Sequence, residues 1–93
     1  MSVFRINEFR AREGQGDRLL EALNGYDAIF KFLDGYQSIQ VLQSLEEPDR
    51  IVVIEKWDSI EANQTAAKKI PVHVFETVMR LSVDSPKGGY YHQ

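Results

Sequence analysis

The sequence contains no cysteine. That absence removes disulfide frameworks, thiolate nucleophiles and cysteine metal sites together, and leaves a chain suited to a reducing compartment. Histidine is almost as scarce. His73 and His92 are the two present, far apart and with no acid at matching helical spacing, so no metal site and no cofactor are expected. Positive charge is not in excess either: 11 Lys and Arg are interspersed with 14 Asp and Glu, for a net charge of −3. Such a chain has no basic field to neutralise phosphates or anionic lipid, which removes nucleic acid and membrane surfaces as partners. Long apolar runs are missing as well. No stretch approaches the ~20 apolar residues of a membrane span, and the N-terminal MSVFRINEFR lacks the apolar core of a signal peptide. The expected compartment is the cytoplasm.

What remains is an ordinary globular composition, 43% hydrophobic and 27% charged over 93 residues, enough for one domain spanning residues 1–93. VFRINEFRA (3–11) mixes β-formers with polar residues and ends before the turn Glu13-Gly14-Gln15-Gly16, so it reads as a strand. Leu19, Leu23, Tyr26, Phe30 and Leu33 then recur at spacings of four and three, predicting one amphipathic helix over about residues 17–33, capped by Asp17 and stopped at Gly35. Gly25 lies inside that pattern without a reason visible in the sequence. GYQSIQVLQSLEE (35–47) and RIVVIEKW (50–57) form two strands joined by the Glu47-Pro48-Asp49 turn. Asp58 or Ser59 caps a second helix that runs to Ile70, where Pro71 breaks or restarts it. Val72, Phe75, Val78, Met79 and Leu81 form a third helical pattern with Pro71 at its first position. The tail SPKGGYYHQ reads as a loop and a short fourth strand at Tyr90 and Tyr91.

The order β-α-β-β-α-α-β is the α+β, ferredoxin-like split βαβ plan, a four-stranded antiparallel sheet with helices on one face. The third strand is apolar on both parities, Ile51 and Val53 on one side and Val52 and Ile54 on the other. A strand of that kind is built for burial on both faces. Helices cover only one face, so a second copy of the chain is expected against the other, where it also protects strand edges.

Glu55-Lys56-Trp57-Asp58-Ser59-Ile60-Glu61-Ala62, an E-x-W-x-S-x-E-A pattern, is accompanied by the Gly-containing turn before the first helix. Gly35-Tyr36 opens the second strand, and a helix-Pro-helix stretch leads to Pro86, Gly88 and Tyr90. Together these features, spread over nearly the whole chain, resemble the antibiotic biosynthesis monooxygenase domain family of dimeric α+β barrels. The resemblance implies a homodimer with an apolar cavity in each subunit, between sheet and helices. Characterised members oxidise polycyclic phenols or quinols with O₂ and without metal or flavin, some relatives degrade haem, and others have no assigned activity. The implied function is a cofactor-independent monooxygenase acting on a small phenol- or quinol-type aromatic. The alternative is a non-catalytic small-molecule-binding or stress-related dimer of the same fold.

Such chemistry needs a dry aromatic pocket, a group to steer a phenol proton, and donors for a developing oxyanion. His73, Asn63 and Asn7 are the catalytic candidates; Trp57, Tyr36 and Phe75 are the substrate-binding ones. Trp57 has two compatible readings, a core anchor at the strand-helix junction and a pocket wall. Many family members carry a histidine in the second helix, where this chain offers Asn63, which donates and accepts hydrogen bonds but is no base near neutral pH. His73 is then either a repurposed acid-base group or an ordinary surface histidine. Asn7 resembles the first-strand asparagine of haem-degrading relatives, or is a plain polar strand residue. Those relatives also need a Trp in the second helix where Ala66 stands, which disfavours haem degradation. Gly14-x-Gly16 lacks the rest of a dinucleotide fingerprint, and the nearby Arg10, Arg12 and Arg18 are balanced by Glu8, Glu13 and Asp17.

Overall fold

A computed structural model describes residues 2–93 of the chain. Strand β1 (Val3–Arg10) leads into α1 (Gly16–Asn24) and α2 (Tyr26–Phe30), then β2 (Tyr36–Gln43), β3 (Arg50–Trp57), α3 (Ile60–Lys69), a 3₁₀ turn at Val72–Phe75, α4 (Glu76–Leu81) and β4 (Lys87–Tyr91). The four strands form one antiparallel sheet in the order β2-β3-β1-β4. This is the ferredoxin-like arrangement the element order predicts.

Strands β1 and β3 occupy the centre and pair along their whole length, from Val3 opposite Trp57 to Arg10 opposite Arg50. Alternation on β3 sends Ile51, Val53, Glu55 and Trp57 under the helices, where all four are buried, while Val52, Ile54 and Lys56 on the reverse face are half-buried. The core forms where Leu19 and Leu23 of α1, Tyr26 and Phe30 of α2, Ala66 of α3 and Val78 of α4 meet that face. Opposite it the sheet carries Phe4, Ile6, Val52, Ile54 and the half-exposed Leu42 and Tyr91 with no helix over them.

Several local expectations are corrected. The helix predicted over 17–33 is two helices, interrupted at Gly25, after which the chain restarts so that Tyr26 and Phe30 still face the core. Asp17 does not cap α1. The cap position is Gln15, which makes no side-chain bond; Asp49, remote in sequence, accepts instead from the N–H groups of Gly14 (3.0 Å) and Gly16 (2.9 Å). Proximity is the reason. A side chain on Gly16 would run into the Pro48 carbonyl, so the two turns lie against each other. The second strand stops at Gln43, short of the predicted residue 47. Pro71 precedes the third helical segment and does not begin it; its ψ is 140°, and the residue before it, Ile70, is extended (φ −85°, ψ 122°), as a proline requires of its predecessor. The next turn tightens to 3₁₀ before α4 forms. Of the two predicted caps for α3, Ser59 is the one used, its hydroxyl accepting from the Ala62 N–H at 3.0 Å.

Candidate functional site

Pleating of the sheet brings one row of side chains under α3. Tyr90 on β4 lies opposite Arg5 on β1, and Arg5 lies opposite Glu55 on β3. Trp57 follows two residues after Glu55 on the same face. From above, α3 presents Asn63, Gln64, Ala67 and Lys68, one helical face by their spacing of one, four and five residues. Phe30 and Phe75 close one side. A cavity of about 660 Å³ remains between sheet and helix, ample for a ligand of two or three fused rings.

Trp57 is 1% exposed and forms the apolar floor. Its ring packs against Tyr36 (centroids 5.4 Å apart, edge to face) and Phe30 (6.1 Å). The same indole donates from Nε1 to Oε1 of Glu55 at 2.9 Å. Core anchor and cavity wall are thus one residue.

Glu55 is the chemically distinctive group. It interrupts the buried apolar parity of β3, only 8% exposed, and burial raises its pKa above that of an ordinary carboxyl. The Trp57 hydrogen bond and the positive charge of Arg5 pull the other way without cancelling the rise. A carboxylate so placed is a stronger base than one in water, held at a fixed position by an N–H donor. Two further groups are tied across the cavity: the Tyr90 hydroxyl donates to Oδ1 of Asn63 at 2.6 Å, fixing α3 to β4 and leaving the Asn63 amide N–H groups available. Asn7 lines the cavity one row from Arg5. A side chain on Gly88 would collide with its Oδ1, so the bare glycine on β4 is what admits the asparagine.

The candidates therefore divide. Trp57, Asn63, Asn7 and Phe75 all line this cavity. Tyr36 does not line it; the ring supports Trp57 from behind while the hydroxyl donates to Asp27 Oδ1 on α2. Burial, that hydrogen bond and the negative charges of Asp27 and Glu55 raise its pKa, which makes it a spacer and not a proton source. His73 is exposed on the 3₁₀ turn and lies outside the cavity lining. After Ile70 leaves α3 in extended backbone before Pro71, the 3₁₀ turn packs Val74 and Phe75 inward and leaves Val72 and His73 exposed. Glu55, Arg5, Tyr90, Phe30 and Lys68 also line the cavity, and none of them was among the candidate site residues. Glu55 did carry a sequence signal of its own, a charge on the parity shared by Ile51, Val53 and Trp57.

Residues 2–73 match the sequence model of the antibiotic biosynthesis monooxygenase family. The chain belongs to this family. A search of curated proteins gave no match. Among solved structures, the family fold recurs in a proposed antibiotic biosynthesis monooxygenase from Bordetella bronchiseptica at a TM-score of 0.89, with 12% identity over 99% of this chain and 96% of that one. It recurs in SnoaB, a cofactor-independent oxygenase from Streptomyces nogalater, at 0.84 with 18% identity, covering 99% and 92% of the two chains. A protein from Shewanella oneidensis reaches 0.82 with 27% identity, covering 99% and 90%. At such identities the likeness speaks for backbone architecture.

Proposed function

We propose that the chain is a cofactor-independent monooxygenase that oxidises a small phenol- or quinol-type aromatic with O₂ inside the cavity between sheet and α3. The observation that carries this reading is the pairing of aromatic walls with one buried, hydrogen-bonded carboxylate, Glu55, facing the same space. Family membership and the resemblance to the oxygenase SnoaB support it.

The flat ring of the substrate lies against Trp57, Phe30 and Phe75, which exclude water and orient it. Glu55 takes the phenolic proton, and its raised pKa brings its basicity closer to that of the phenol. The resulting phenolate is electron-rich enough to reduce O₂ without a metal or flavin. Overall, a phenol and O₂ yield a quinone and water: one oxygen atom enters the ring, the other leaves as water, and the substrate supplies all four electrons. Amide N–H groups of Asn63 and Asn7 are placed to donate to oxygen as charge develops on it.

The open sheet face, with Phe4, Ile6, Val52, Ile54 and Leu42, pairs with a second copy to make the homodimer, and a cytoplasmic protein of this kind needs neither nucleic acid nor membrane. No helix among the described residues is long and apolar enough to cross a membrane. A second reading, a non-catalytic binder of aromatic molecules, draws on one observation: no histidine reaches the cavity.

Oxygen uptake by metal-stripped protein with a panel of hydroquinones and anthrone-like phenols separates the two. The monooxygenase reading expects saturable uptake that Glu55→Gln abolishes while leaving the fold intact. Flat uptake with saturable ligand binding sinks it in favour of the binder, and full turnover in Glu55→Gln removes the carboxylate from the mechanism.

A further inference from the structure

The cavity is not electrically neutral. Within a chain whose net charge is −3, its lining holds two cations, Arg5 and Lys68, against a single carboxyl, Glu55. Among the described residues neither cation forms a salt bridge; the two ion pairs present both belong to Arg50, with Glu8 and Glu47. Arg5 has an acid directly opposite on β3, yet Glu55 takes its hydrogen bond from Trp57 and no salt bridge joins it to Arg5. Its guanidinium carbon instead sits 4.7 Å from the centroid of the Tyr90 ring.

That stacking has a consequence. A guanidinium laid on an aromatic face is held in place through its π-surface, while its N–H donors all lie in its plane and stay free. Tyr90 is itself fixed by its bond to Asn63, so Arg5 is a preorganised, half-buried fork of donors opening into a cavity with aromatic walls. Lys68 stands at the exposed rim of the same opening, one helical turn beyond Gln64. Two cations without a salt bridge, Arg5 half-buried and stacked on Tyr90 and Lys68 exposed at the mouth, form a receptor for a planar anion. Among anions compatible with aromatic walls, a carboxylate on an aromatic ring matches the fork in shape.

We propose that the ligand of this cavity is an aromatic acid, whose carboxylate is held by Arg5 and steered in by Lys68 while its fused rings lie on Trp57 and its hydroxyl faces Glu55. The inference rests on the reading of the cavity as the substrate site and adds the substrate's charge. It also couples binding to chemistry. Arg5 is one of the groups that hold the Glu55 carboxyl down, so a bound carboxylate that neutralises Arg5 leaves Glu55 the stronger base.

Isothermal titration of the full chain with hydroxynaphthoate and with naphthol, ligands alike except for the carboxylate, tests this directly. The acid binds about tenfold or more tightly than naphthol, and that preference shrinks as salt is raised. Arg5→Gln and Lys68→Gln each reduce it, Arg5→Gln the more; Lys68 is exposed, so its variant leaves folding untouched and keeps the test decisive. Equal affinities, a preference that survives both substitutions, or no binding of either ligand overturns the proposal. Oxygen uptake in the same samples reads the activity separately. A carboxylate preference lost in both variants but unaccompanied by oxygen uptake upholds the anion receptor and refutes the monooxygenase.

Discussion

Replacing Trp57 by phenylalanine perturbs two things at once, and the structure allows each to be weighed. The indole is 1% exposed; removing the difference in ring volume, roughly 40 Å³, at about 24 cal/mol per Å³ of unfilled cavity costs about 1 kcal/mol. The second loss is the N–H donor to the buried Glu55 carboxyl, worth about 1–3 kcal/mol when the acceptor is left unpaired. The sum, about 2–4 kcal/mol, is a large share of the roughly 5–10 kcal/mol that holds a domain of this size together, and corresponds to a fall in Tm of roughly 10 °C or more. It also carries a sign in pH. Because the folded-state pKa of Glu55 is raised above its unfolded value, its contribution to stability is fully present below the ordinary carboxylate range and is lost as pH rises through the raised pKa. The Trp57 hydrogen bond is one of the two influences that limit that rise, so Trp57→Phe raises the pKa further. The destabilisation by Trp57→Phe therefore grows between about pH 4 and pH 8. Urea unfolding followed by far-ultraviolet circular dichroism, at fixed protein concentration, measures it at both ends. A loss below about 1 kcal/mol, or one that is the same at both pH values, refutes the assignment of this hydrogen bond as the partner that makes a buried carboxylate tolerable.

Three further outcomes are expected. Ser59→Ala removes the hydroxyl that accepts from Ala62 and lowers stability by about 1 kcal/mol in the same urea assay, leaving the sheet unchanged. Gly35→Ala places a side chain at φ 85° and 2.5 Å from Cβ of Ala62, so stability falls by roughly 2 kcal/mol or more and α3 is displaced from the β2 turn, seen as faster amide exchange at the start of that helix. Ile54→Asp puts a charge in the middle of the open sheet face while its side chain points away from the core; on the proposed pairing through that face, sedimentation velocity finds a dimer for the parent chain and a monomer for the variant, and equal mass for the two refutes it.

Legibility differed between scaffold and site for physical reasons. The strands of the central pair, a cap at Asp58 or Ser59 and the ferredoxin-like order follow from period and turn chemistry, which act between residues close in sequence. The break at Gly25 and the 3₁₀ turn after Pro71 were harder, and the rings that follow each break, Tyr26 and Phe75, meet edge to face with centroids 5.6 Å apart, a contact between segments remote in sequence. Asp49 illustrates the same limit: a carboxylate in the β2-β3 turn satisfies the start of α1, a pairing over more than thirty residues that no local pattern encodes.

The site divides along the same line. By itself the sequence determined the family, through the E-x-W-x-S-x-E-A stretch, and placed Trp57 at the junction where strand becomes helix, because alternation and capping are local properties. Only the tertiary structure decided what surrounds that tryptophan. Strand register set Tyr90, Arg5 and Glu55 side by side from three separate segments, burial raised the Glu55 pKa, and the 3₁₀ turn after Pro71 left His73 exposed outside the cavity lining. Acidity, charge balance and access arise from distances between residues remote in the chain, and those distances exist only once the sheet has formed and α3 has closed over it.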